Sequence, residues 1–249
     1  MNDGAKKTIW VIGAGSGIGR ALAIALSRKG HQLILSGRGV DRLELLKSEF
    51  IQGALIVPVD VSNTSSLSEA YAEAKSVMGV IDSVICMSAD YQPMTIDHLD
   101  LGRCQTILNT NLMAAFSILH TVVPDMKLRG QGQIVFCGSV AGYRGLPNGQ
   151  PYSAAKAGLI NLAETARLEL IHYGIDIKII NPGFVKTEMT DKNDFHMPMM
   201  ITAEVAAERI AAQLSNPNQF EIRTHKIFTV LMKFIKFLPN RLYFRLLRK

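Results

Sequence analysis

The chain reads as a doubly wound α/β domain, a seven-stranded parallel sheet with helices on both faces, and three features of the sequence say so. Apolar and β-branched runs alternate with stretches of helical apolar spacing through most of the chain. The first run leads through GAGSGIG straight into a helical pattern. The length of 249 residues, with 48% hydrophobic and 19% charged side chains, is enough to bury both faces of one sheet in a single domain. The runs expected as strands are residues 8–12, 32–36, 54–59, 82–87, 132–137, 176–180 and 220–223. Helical spacing is read after the glycine loop, over 41–50, around 67–78, over 99–123, from 152 past 170, and over 202–214.

The first strand, loop and helix form the arrangement a dinucleotide needs. Gly13 permits a tight turn, Gly17 lets backbone approach a phosphate, and Gly19 allows the helix to pack closely. The helix N-terminus then offers N–H groups to the anion. Gly13, Ser16, Gly17, Ile18 and Gly19 are therefore the expected phosphate-side residues of a Rossmann-type site. The second strand ends in Gly37 and Arg38, where a site for NAD would carry an acid for the ribose 2′-hydroxyl. A guanidinium instead suits a 2′-phosphate, which it can meet bidentately. The expected cofactor is NADP(H), with NAD(H) as the alternative. The third strand ends in Asp60 and Val61, ahead of a Ser/Thr-rich turn in which Asp60 can also serve as a cap.

The stretch GSVAGYRGLPNGQPYSAAK, residues 138–156, carries the chemistry. Tyr152 and Lys156 lie four residues apart, so on a helix they share a face. Free tyrosine titrates near pH 10, and a cation within roughly 4–6 Å lowers that value, which would make Tyr152 a usable acid or base. Ser139 would hydrogen-bond the same substrate oxygen. Asn111 sits in an apolar helical pattern, where a buried amide must find partners.

The interval of thirteen residues from Ser139 to Tyr152 and four from Tyr152 to Lys156, with the spacing Gly13, Gly17 and Gly19, resembles the short-chain dehydrogenase/reductase family. The resemblance implies that Tyr152 is the catalytic acid/base, that Lys156 tunes it and binds the nicotinamide ribose, and that Ser139 positions the carbonyl. It implies that Asn111, in TNLMAAF, joins a proton relay, that Asp60 and Val61 meet the adenine, and that Pro182, Gly183, Val185 and Thr187, in NPGFVKT, surround the nicotinamide carboxamide. It further implies a homodimer or homotetramer formed through the two helices that follow Leu99 and Tyr152. The expected function is NADPH-dependent reduction of a hydrophobic ketone or aldehyde to an alcohol, or the reverse. The alternative is a catalytically silent cofactor-binding regulator or scaffold. Two departures motivate it: Ile12 where the family usually has Thr, and Cys-Met-Ser-Ala at 86–89 where it usually has Asn-Asn-Ala-Gly.

Residues 184–200 are expected as a loop or short helix over the substrate, where Met189, Phe195, Met197, Met199 and Met200 either offer an adaptable apolar surface or fill gaps in the core. Tyr91, Pro93 and Met94 are expected at the mouth. Cys86, Cys104 and Cys137 are too scattered for a disulfide framework or a metal site, and read as free thiols in a reducing compartment. With no signal-like N-terminus and no run of eighteen apolar residues, the expected location is the cytoplasm.

The chain divides by charge into a catalytic part, 1–225, and an extension, 226–249. The extension holds seven Lys and Arg and no acid, and without it 20 basic residues face 21 acidic ones. Lys226, Thr229, Lys233 and Lys236 fall on one narrow helical stripe and apolar residues cover the remainder. Such a basic amphipathic helix suits an anionic membrane surface, here the inner one, and alternatively packs onto a partner subunit or over the substrate opening. No nucleic-acid partner is expected.

Overall fold

The computed structural model describes residues 6–195 and 197–248, so Lys249 of the basic extension lies outside the described residues. The strands are β1 (Thr8–Ile12), β2 (Gln32–Ser36), β3 (Leu55–Ile56), β4 (Ser83–Cys86), β5 (Gly132–Cys137), β6 (Ile175–Ile180), β7 (Val185–Lys186), β8 (Ile201–Thr202) and β9 (Glu221–Ile222). The helices are α1 (Gly17–Arg28), α2 (Val40–Phe50), α3 (Thr64–Met78), α4 (Leu101–Leu108), α5 (Ala114–Arg129), α6 (Tyr152–Leu170), α7 (Ala203–Ala211), α8 (Lys226–Phe237) and α9 (Asn240–Leu247).

Seven strands pair in parallel in the order β3-β2-β1-β4-β5-β6-β9. Strand order reverses between β1 and β4, and the crevice outside the carboxyl ends of these strands is where open α/β sheets bind ligands. β1 has no solvent-facing side: all five residues of TIWVI are buried, which is why it reads as a continuous apolar run. Trp10, Ile12, Val84 and Phe136 face α3, α5 and α6 through Leu67, Ala74, Ile118 and Leu159. Val11, Leu35, Ile85 and Val135 face α1, α2 and α7 through Leu22, Leu43 and Ile210. Each such aliphatic side chain contributes about 1.5–3 kcal/mol on full burial.

Several elements differ from the sequence-based expectation. The third and seventh strands of the main sheet shrink to two residues each, although Val57 and Val59 beyond β3 still donate to the Leu35 and Gly37 carbonyls and Phe220 before β9 still accepts from Ile179. The segment 184–200 is not wholly irregular: β7 pairs in parallel with β8, Val185 opposite Ile201. The long helix continues from Leu101 to Arg129 through a π-helical turn at Asn109–Met113. By length and composition alone it could cross a membrane, but Ile107, Ala114, Ile118, Val122 and Met126 on it are core residues.

The helical extension also turns differently from its expected face. Thr229 is fully buried rather than on a solvated stripe, and Lys233 pairs with the Glu221 carboxylate on β9. That pairing brings Phe228 and Met232 inward and leaves Ile227, Val230 and Phe234 outside.

Candidate active site

β5 ends at Cys137 and delivers Ser139 to the crevice. The Ser139 hydroxyl accepts from the Ala141 amide at 3.1 Å, starting a helical turn over Val140–Gly142. Tyr152 then opens α6, and Lys156 follows one turn later on the same face. The Lys156 ammonium is buried, donates to the Cys137 carbonyl at 2.7 Å and lies 5.4 Å from the centre of the Tyr152 ring. The ring of Tyr91 meets that of Tyr152 edge-on, with centres 5.0 Å apart.

The phenol does not show the expected downward shift. Burial pushes Tyr152 above its ordinary value, the neighbouring Cys137 thiol and Tyr91 add to this, and a hydrogen bond with Ser139 acts in the opposite direction. Lys156 is itself drawn below its ordinary value, chiefly by burial. Desolvation disfavours the charged form of both groups, so the pair is held as a neutral phenol beside a weakened cation. Burial also pushes the Cys86 thiol up to about 11.

Asn111 sits in the π-helical turn, a distortion common at functional positions. Its amide donates to the Asp90 carbonyl at 2.7 Å and the Ile107 carbonyl at 2.9 Å, and its oxygen accepts from the Asp90 amide at 3.4 Å. It thereby ties the long helix to the loop after β4. Between Asn111 and Lys156 lies a cavity of about 10 Å³, also lined by Cys86, Ser88 and Thr110, the volume of a single water position.

The cleft above these residues has a volume of about 890 Å³ and joins two regions. At its dinucleotide end Gly13 adopts φ +88°, and a Cβ on Gly19 would run into the Gly13 carbonyl, so both positions require glycine. Ser16 makes no side-chain cap to α1 and the first turn holds no acid, which leaves the amides of Gly17, Ile18 and Gly19 to the cleft. Gly37, Arg38, Asp60 and Val61 line the same end. The Asp60 carboxylate accepts from the Ser62 hydroxyl and amide at 2.7 and 3.0 Å, and these bonds, followed by the charge of Arg38, hold it below its ordinary value against the effect of burial. Ile12, by contrast, is a core residue, and Ser88 and Ala89 of the altered β4 segment form part of the wall. Pro182, Gly183, Val185 and Thr187 line the opposite side.

The other region is apolar, with Tyr91, Val140, Leu146, Phe184 and Phe195 on its walls. Of the expected methionines only Met189 reaches it; Met197 accepts a weak bond from Asn193 at 3.4 Å, and Met199 and Met200 are exposed. Tyr91 hydrogen-bonds Asn193 at 2.7 Å, joining the loop after β4 to the segment that follows β7.

Sequence reasoning missed Arg42, and it placed the extension over the substrate opening only as an alternative, without naming the residues that face inward. Arg42 lines the dinucleotide end beside Arg38 and pairs with Glu188 across the cleft at 3.1 Å. Its place four residues after Arg38, at the start of a helix, was the available signal. Phe228, Met232 and Ile235 of α8, together with Leu247, close the apolar region. The i, i+4, i+7 spacing of the first three marks an inward-facing helix side.

The cleft also has relatives. The model of the family described as short chain dehydrogenase matches residues 7–197. An uncharacterized oxidoreductase of Myxococcus xanthus is 32% identical over 253 residues, covering 98% of this chain and 97% of that one. A ketoacyl reductase, HetN, of a Nostoc species is 35% identical over 188 residues, covering 74% of this chain and 66% of its own. An alcohol dehydrogenase of the archaeon Thermococcus sibiricus, solved in complex with 5-hydroxy-NADP, superposes with a TM-score of 0.79 at 25% identity, covering 88% and 96% of the two chains. With that family model matched over residues 7–197 and a relative 32% identical along nearly the whole of both chains, the protein belongs to the short chain dehydrogenase family of oxidoreductases.

Proposed function

We propose that this enzyme uses NADPH to reduce a ketone or aldehyde on a hydrophobic substrate to the alcohol, and can run the reverse oxidation. One observation supports this above the others: Ser139 and Tyr152 line the same cleft as the glycine loop and the apolar walls, with the buried Lys156 ammonium 5.4 Å from the Tyr152 ring centre. The glycine loop and the uncapped α1 N-terminus fit a pyrophosphate, and Arg38 with Arg42 fits a 2′-phosphate. The dehydrogenase from Thermococcus sibiricus was solved with an NADP derivative, which supports the same cofactor class here. The name of the Nostoc relative favours a carbonyl on an acyl-type chain.

When bound, the cofactor supplies the hydride. Ser139 and Tyr152 hydrogen-bond the substrate oxygen, and Tyr152 gives it a proton. A phenol kept protonated by burial is in the state that donates a proton. Lys156 braces the ribose side, and Asn111 with the adjoining water-sized cavity forms the path that returns a proton to Tyr152. Asp60 and Val61 hold the adenine, and Pro182, Gly183, Val185 and Thr187 hold the carboxamide.

Exposed Met113, Phe116 and Leu168 on the π-helical turn, α5 and α6 support a homodimer or homotetramer. The cationic extension supports a cytoplasmic protein resting against the inner membrane surface. The reductase reading is tested by following NADPH absorbance with a panel of ketones, aldehydes and quinones. Turnover that disappears in Tyr152→Phe while NADPH still binds supports it; NADPH binding without turnover of any carbonyl supports the silent scaffold instead.

A further inference from the structure

Helix α8 is apolar on two opposed sides, and the body of the protein covers only one. Phe228, Met232 and Ile235 form a wall of the cleft. On the other side Ile227 is 69% exposed, Phe234 66% and Phe237 80%, with Val230 and Leu231 between them. α9 continues this surface with exposed Leu242, Phe244 and Leu246. Lys226, Lys236, Arg241, Arg245 and Arg248 flank it, and among the described residues none of the five is paired with a carboxylate within salt-bridge distance. Residues 226–249 include no acid at all.

This surface is fastened to the catalytic segment between Ser139 and Tyr152. Arg144 donates to the Ile235, Lys236 and Leu238 carbonyls at 3.1, 3.0 and 2.6 Å, satisfying the end of α8, and stacks 3.7 Å from the Tyr243 ring centre. The Tyr243 hydroxyl donates to the Gly145 carbonyl. Glu221 accepts from both Tyr143 and Lys233, joining the same two elements a second time.

We propose that the outer side of α8 and α9 seats on an anionic bilayer, and that the substrate is a long-chain carbonyl lipid entering the apolar end of the cleft from that bilayer beneath α8. This deepens the reductase reading and rests on it for the chemistry. Exposed aromatic and aliphatic side chains enter the headgroup boundary while the flanking cations meet lipid phosphate. The thickness of one helix then separates lipid from the cleft. A second copy of the chain is a poorer occupant, because residues 226–249 hold no acid and a twofold contact through this face would leave its cations without partners.

The test compares the full-length enzyme with the double variant Phe234→Glu, Phe237→Glu, whose changes lie on the exposed side and whose folding is checked by thermal melting. Vesicles of phosphatidylglycerol and phosphatidylcholine in equal parts carry pentadecyl methyl ketone; cyclohexanone in buffer is the control substrate. The parent enzyme is expected to co-sediment with these vesicles and the variant to bind at least about tenfold less. Reduction of the vesicle-borne ketone should fall in parallel, with cyclohexanone turnover unchanged. Equal vesicle binding by both proteins overturns the proposal. So does loss of binding with undiminished turnover of the vesicle ketone. So does a parent dimer that ignores vesicles and that the variant converts to monomer. If the parent reduces neither ketone yet sediments with vesicles, the substrate assignment falls while the docking surface stands on the sedimentation result; the reductase reading falls as well if no carbonyl of the wider panel is reduced.

Discussion

The Lys156 ammonium is held by the main-chain carbonyl of Cys137, 2.7 Å away, rather than by a carboxylate. The end of β5 therefore fixes the lysine, and the lysine in turn fixes the distance between β5 and α6. Lys156→Met is expected to lower kcat roughly a hundredfold, within the range of lost acid–base assistance, and to raise the KM for NADPH. Lys156→Arg should not restore activity, because a planar guanidinium cannot reproduce a single buried ammonium contact. Steady-state kinetics with each variant check both expectations.

Arg38 and Arg42 line the same end of the cleft as the glycine loop, where a 2′-phosphate is proposed to bind. Arg38→Ala is expected to weaken NADPH about tenfold to a hundredfold, the loss of a charge-assisted hydrogen bond, while leaving NADH nearly unaffected. Arg42→Ala should act in the same direction with a smaller effect, since its exposed pairing with Glu188 competes for the guanidinium. The ratio of kcat/KM for the two cofactors reads this directly, and an unchanged ratio in Arg38→Ala would contradict the assignment.

Glu221 links the extension to the body. Although burial alone would push it up, hydrogen bonds from Lys233, Tyr143 and Asn181 hold its carboxyl below the ordinary range. A carboxylate with a lowered folded value adds stability that is complete above its unfolded value, near 4.3, and is lost as pH falls through the folded value. Acidification below about pH 4 should therefore loosen α8 before the sheet opens. Hydrogen exchange across Lys226–Phe237 at falling pH checks this. Glu221→Gln should cost about 1–3 kcal/mol at neutral pH and remove that part of the acid dependence.

Ile12 is fully buried between β2 and β4, in register with Ser36 and Cys86. Replacing it by the threonine usual in the family places a hydroxyl in the apolar core and removes a methyl group. Ile12→Thr is expected to lower stability by about 1–3 kcal/mol, seen in thermal or denaturant unfolding, with NADPH affinity within about twofold of the parent. A stabilised variant would show that the loop had been short of a hydrogen bond.

What the sequence discloses depends on how local the cause is. The β1 to α1 turn follows from glycines within a single loop, and the N-cap of α7 from one threonine, whose hydroxyl accepts from the Val205 amide at 3.3 Å. Ser139, Tyr152 and Lys156 lie within one short stretch, so their gathering in the cleft could be anticipated from spacing. The orientation of α8 could not, because the partner of Lys233 arrives on β9 and the clamp on its last carbonyls comes from Arg144. The upward shift of Tyr152 was hidden for the same reason. Proximity to Lys156 is written in the sequence, whereas the burial that outweighs it is a property of the assembled fold.

The direct test of the account is Tyr152→Phe, with NADPH binding and NADPH oxidation measured on the same preparation. The change removes one oxygen and keeps the ring against Tyr91. Binding within about twofold of the parent is expected, with turnover of a ketone lowered at least about a hundredfold. In the parent, reduction should persist at alkaline pH up to at least the ordinary phenol value of about 10, because burial keeps Tyr152 protonated. A Tyr152→Phe enzyme that reduces the ketone at the parent's rate would contradict the assignment of the proton to this residue.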